Sequence, residues 1–100
     1  MVKHIVMWKL KDFAEGAGKK ENAMKIKSSL EALKLKIKEV KSLEVGISVS
    51  DAADFYDIVL ISEFKDLGDL EAYRKHPEHV KAAEFIGKVQ LERKVVDYTV

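Results

Sequence analysis

Apolar and polar positions alternate from residue 2 to residue 10, with Val2, His4, Val6, Trp8 and Leu10 on one face and Lys3, Ile5, Met7 and Lys9 on the other. A period of two is that of a β-strand. From about Lys19 the period lengthens, because Ala23, Ile26, Leu30, Leu33, Ile37 and Val40 recur every three or four residues on a Lys/Glu-rich background. This predicts an amphipathic helix with one buried stripe, loosening near Ile37. Alternation returns over residues 43–50, with Leu43, Val45, Ile47 and Val49 on one side, which predicts a second strand. The segment DAADFYD is a turn by composition. The YDIVLISEF run that follows is rich in β-branched and aromatic residues, as a central strand is, and forms a hairpin with the second strand.

Asp66 is placed to cap a short helix carrying Leu67, Leu70 and Tyr73. That helix stops near His76, because a residue before proline is pushed away from helical angles. Pro77 suits the first turn of a third helix, whose Val80, Ala83 and Ile86 face the sheet and which gives way near Glu92 to the last strand, RKVVDYTV. The order is β-α-β-β-α-β with the second helix broken. It defines an α+β fold, a ferredoxin-like split arrangement with a four-stranded antiparallel sheet, in which the first and third strands are central and the fourth lies against the first.

Helices in this topology cover one face of the sheet, so the other face is polar if it meets water. Here it carries Ile5 and Met7, Val59 and Ile61, and Val96 and Tyr98. A patch of that extent across three strands calls for a second layer, and a two-fold homodimer through the helix-free face supplies it. The expected assembly is a dimeric α+β barrel.

One hundred residues, 47% hydrophobic and 35% charged, make a single domain spanning 1–100. Eighteen basic against seventeen acidic residues leave a net charge of +1, which points to no nucleic acid. The absence of cysteine excludes disulfides, thiolate metal sites and cysteine nucleophiles. The opening MVKHIVMWKLKDF has lysines inside its apolar run and no small-residue cleavage site, so it reads as a strand rather than a leader or membrane span. A cytoplasmic location is the expectation.

Candidate chemistry gathers on the helix-facing side. His4 at the start of the first strand and Asp97 near the end of the last are antiparallel neighbours, and a carboxylate beside an imidazole fixes its tautomer. The commoner use of such a pair is structural. Tyr73 shares the short helix's stripe with Leu70, as a core aromatic or a hydroxyl donor. His79, in the first turn after Pro77, can turn its ring into the space between helix and sheet, whereas His76 serves the helix junction. A cavity there would be walled by Val6, Trp8, Leu30, Leu60 and Val95 and suit a small apolar molecule. In such a cavity a neutral His79 could take a proton beside a carbonyl while Tyr73 stabilises the enolate, with no cofactor. His-Pro-Glu-His straddles a helix start and lacks the spacing of a zinc helix, so no metal site is expected. Gly16 and Gly18 read as loop flexibility, with no phosphate-binding fingerprint around them.

The opening VKHIVMWKLKD, the LEVGISVS strand, the block FKDLGDLEAYRKHPEHV and the ending VVDYTV occur in an order that resembles the stress-responsive dimeric A/B barrel (Dabb) family over nearly the whole chain. AYRKHPEHV is the most specific part. The resemblance implies the fold and the dimer. The family includes plant stress proteins without established catalysis, bacterial proteins of unknown role, and olivetolic acid cyclase, which closes a polyketide by aldol condensation. Tyr73 and His79 fall where the catalytic tyrosine and histidine of that cyclase lie, and His4 and Asp97 match further polar positions. Leu30 replaces an aromatic residue and Trp8 a smaller one, which implies a differently shaped pocket. A cofactor-free monooxygenase, with Trp8 facing the cavity, is a third reading from the same architecture.

Overall fold

The computed structural model describes residues 1–100. Strand β1 (Val2–Leu10) is followed by a short hairpin of β2 (Phe13–Ala14) and β3 (Ala17–Gly18), helix α1 (Lys19–Lys36), β4 (Ser42–Ile47) and β5 (Ile58–Phe64). Helices α2 (Leu67–Lys75) and α3 (Pro77–Val89) precede β6 (Gln90–Thr99). Four strands form one antiparallel sheet in the order β4-β5-β1-β6, with the predicted first and third strands in the centre. The helices lie on one face.

The core forms between that face and the helices, where Val6, Trp8, Leu60 and Phe64 meet Ile26, Leu30, Leu33, Leu70 and Ile86. In α1 the buried residues are Ala23, Ile26, Leu30 and Leu33, the expected stripe, joined by Asn22. Ile37 and Val40 are also buried, but the helix has ended by then, with Ile37 as its C-cap. Asp66 caps α2 by accepting from the Asp69 N–H at 2.9 Å. His76 ends α2 and caps α3, its Nδ1 accepting from the Glu78 N–H at 3.1 Å.

Five expectations need correction. Val49 lies beyond β4 and is fully exposed, because pairing with β5 stops at Ile47↔Ile58. Leu67 points to solvent at the first position of α2. The buried stripe of α3 is Ala82, Ile86 and Val89, so Val80 and Ala83 lie outside it, and β6 begins at Gln90 rather than Glu92. Residues 13–18 are a hairpin: Glu15 and Gly16 both take positive φ, +50° and +76°, as the two central residues of a tight two-residue turn require. Asn22 holds that hairpin to α1, donating from Nδ2 to the carbonyls of Ala14 and Ala17 at 3.0 and 3.3 Å.

The helix-free face presents the expected patch. Ile5 lies between Ile61 and Val96 in register and Met7 pairs with Val59. Met7 is 37%, Val96 53% and Tyr98 42% exposed in the single chain. No helix is long and apolar enough to cross a membrane.

Candidate functional site

At the N-terminal end of β1, groups from β1, α2, α3 and β6 converge. His4 is 3% exposed, and its Nδ1 lies 2.5 Å from Oδ1 of Asp97, its partner across the β1–β6 ladder. An ionised carboxylate only accepts, so Nδ1 carries the hydrogen and Nε2 of the neutral ring is free. Burial lowers the His4 pKa, and the hydrogen bond to Asp97 opposes that without cancelling it. Burial pushes Asp97 up, but the hydrogen bond and charge of His4, then those of Arg74, hold its carboxyl below the usual range.

Arg74 touches both halves of the site. Its guanidinium reaches Asp97 Oδ2 at 2.5 Å, and its backbone carbonyl lies 3.1 Å from Nδ1 of His79. The helix break makes this possible. In a continuous helix the Arg74 carbonyl would accept from the Glu78 N–H, which instead donates to His76, so a late carbonyl of α2 is left for a side chain. A carbonyl oxygen accepts only, so His79 carries its hydrogen on Nδ1 and leaves Nε2 as a base. Burial lowers the His79 pKa against the opposing hydrogen bond to Arg74, with smaller lowering effects from His4, Arg74 and Arg93. The ring is neutral at pH 7.

The His79 ring lies against Tyr73, centroids 4.5 Å apart, and Tyr73 packs in turn on Phe64 at 5.0 Å. Tyr73 is fully buried, its hydroxyl has no hydrogen-bond partner, and burial pushes its pKa up to about 12.

A cavity of about 230 Å³ opens between sheet and helices beside this cluster. Val6, Trp8, Leu30, Leu60, Ala83 and Ile86 supply its apolar wall, and His4 and His79 are part of it. Gly87, Gln90 and Arg93 complete it. Four of the five expected wall residues are thus in place. Val95 is not on the wall; it faces the helix side opposite Val6 but lies on the edge strand and is 41% exposed. Tyr73 is also off the wall, behind His79.

Arg74, Gln90 and Arg93 were missed by the sequence reading. Arg93 had a signal, since it shares the parity of Val95 and Asp97 on the last strand. Gln90 had none, because a bulge at Leu91 shifts the register between Lys9 and Leu10 and turns Gln90 and Arg93, three residues apart, to the same face. No three His, Asp or Glu side chains converge in a metal-binding arrangement.

A four-stranded antiparallel sheet with all helices on one face, a cavity beneath them and an apolar open face defines an α+β barrel protein of ferredoxin-like topology. The chain belongs to the stress responsive A/B barrel domain (Dabb) family, whose sequence profile matches residues 2–100. Among solved structures it is similar to a dimeric protein of unknown function and ferredoxin-like fold from Bacteroides fragilis, 34% identical, TM-score 0.84, covering 99% of this chain and 95% of that one. A protein of Arabidopsis thaliana is 25% identical with TM-score 0.80, covering 100% and 95% of the two chains. The hydroxynitrile lyase of Passiflora edulis, 20% identical with TM-score 0.81 over 99% and 92%, shares the fold. No curated protein sequence matches the chain.

Proposed function

We propose that this protein is a homodimeric barrel whose cavity between sheet and helices binds a small, mainly apolar molecule. The observation that carries the reading is the cavity itself, apolar along Val6, Trp8, Leu30 and Leu60 with two imidazoles at one end. The dimer closes over Ile5, Met7, Val59 and Ile61, as the dimeric Bacteroides fragilis relative and the exposed patch both favour. Sedimentation at micromolar concentration is expected to give a dimer that Val59→Lys weakens; a stable wild-type monomer contradicts it.

A second reading, cofactor-independent cyclase or isomerase chemistry, is favoured by His79. Its tautomer is set by the Arg74 carbonyl and its neutral Nε2 is free on a residue of the cavity wall, which is what a general base beside a carbonyl needs. The oxygenase reading gains no such support. The test is deuterium uptake at the carbon beside the carbonyl of an enolisable ketone, followed by NMR. His79→Ala is expected to slow uptake by about a hundredfold or more. Gly87→Leu, at a wall position where an added Cβ meets nothing, is expected to block uptake by filling the cavity. Quenching of Trp8 by the ketone without any uptake would remove the enzymatic reading and leave the binding one.

A further inference from the structure

Arg93 is the only formally charged side chain on the cavity wall once the two imidazoles are neutral, and no carboxylate lies on that wall. Arg74 is tied to Asp97 and Glu71, and Lys9 and Lys94 both have Glu92 within 4.0 Å. Arg93 enters no ion pair and no side-chain hydrogen bond. Its register partner is Trp8, whose indole N–H is buried without an acceptor. This end of the cavity therefore holds the uncompensated positive charge of the Arg93 guanidinium, with the side chain of Gln90 beside it.

The opposite end is different in kind. His4 and Asp97 pair four positions along the same β1–β6 ladder from Trp8 and Arg93, a backbone separation of about 13 Å at the usual rise per residue. Between the two ends the wall is apolar. The charge of Arg93 also lowers the pKa of His79, so the two groups share one electrostatic environment.

We propose that the molecule bound here is a small carboxylic acid, its carboxylate held at the mouth by Arg93 and its apolar body lying along Val6, Trp8, Leu30 and Ile86 toward His79. The inference rests on the reading of the cavity as a binding site and adds the chemical class of its occupant. A guanidinium offers a planar fork of donors that matches a carboxylate, and an exposed, unpaired arginine at a cavity mouth gives up no existing partner to take one. The same anchor sets orientation. With the carboxylate at Arg93, the far end of a chain of several carbons is delivered to the Nε2 of His79 rather than away from it.

Trp8 is the only tryptophan and lies in the wall, so its fluorescence reports occupancy. The experiment titrates octanoate and octan-1-ol, equal in length and differing in charge, into the wild-type protein, Arg93→Gln and Arg93→Lys at neutral pH. Octanoate is expected to bind wild type about tenfold more tightly than the alcohol, the weight of one charge-assisted hydrogen-bonded contact. Arg93→Gln should erase that preference by weakening octanoate far more than the alcohol, Arg93→Lys should keep part of it, and added salt should shrink it. Equal binding of the two probes by wild type, or an undiminished preference in Arg93→Gln, overturns the carboxylate assignment and leaves the cavity a binding site. No response of Trp8 to either probe overturns both. Arg93 is exposed and unpaired on an edge strand, so its variants should melt as wild type does.

Discussion

Asp57 and Asp97 flank opposite ends of β1, and they are used in opposite ways. Asp57 Oδ2 accepts from the Leu10 N–H at 2.7 Å, its own N–H donates to the Trp8 carbonyl at 2.8 Å, and its carbonyl accepts from Ser48 at 2.9 Å. Lys19 at the start of α1 stands 3.7 Å away. This carboxylate ties the end of β1 to the β4–β5 connection and to α1. Its closest partners are backbone groups that do not titrate. Asp97 instead holds an imidazole and a guanidinium, and through Arg74 it is linked to the second imidazole. A carboxylate spent on peptide groups fixes the fold; one spent on titratable side chains positions groups whose state can change.

The largest effect is expected at Asp57. Asp57→Ala leaves the Leu10 N–H without its acceptor, and the expected loss is about 2 kcal/mol, read as a fall of roughly ten degrees in melting temperature. Asp57→Asn keeps an acceptor oxygen and should lose less. An unchanged melting temperature in Asp57→Ala would remove the distinction between the two carboxylates.

The pH dependence of stability sharpens the other side. His4 and His79 have folded-state pKa values below the ordinary imidazole value of 6.5, so the unfolded chain takes up protons first as pH falls. Stability should be level above about pH 7 and decline from about 6.5 downward. Asp97, held below the carboxylate value of 3.8, contributes stability above that value, which is lost only as pH falls through its folded-state pKa. Urea midpoints across pH 4 to 8 should show the imidazole decline in wild type and a shallower one in His79→Gln. Parallel curves would mean that His79 does not titrate differently on folding.

The smallest expected effect has an unusual sign. The Tyr73 hydroxyl is buried without a partner, so Tyr73→Phe should leave stability unchanged or raise it by about 1 kcal/mol. If the hydroxyl takes part in proton transfer, the same variant slows deuterium uptake while melting no lower than wild type. A marked destabilisation would show that the hydroxyl has a partner in the folded protein.

Much of this was legible along the chain. The switch from period two to period 3.6 at Lys19, the Asp66 cap and the Pro77 start each depend on neighbours within a few residues, and all three appear in the structure. The His4–Asp97 pairing was legible as well, because antiparallel topology brings the start of the first strand beside the end of the last. The short β2–β3 hairpin was not, since two-residue strands carry no periodicity and only the Glu15-Gly16 turn marks them.

By itself, then, the sequence determined which residues share a face, where helices begin and stop, and that both faces of the sheet are apolar, because these follow from local backbone geometry and side-chain alternation. Only the tertiary structure decided the partners. Arg74 meets Asp97 because of where α2 lands on the sheet, and its carbonyl is free for His79 because the helix breaks at Pro77. Gln90 joins Arg93 on the cavity wall because one bulged residue reverses the parity of the last strand, a change set by pairing with β1 and invisible in β6 alone.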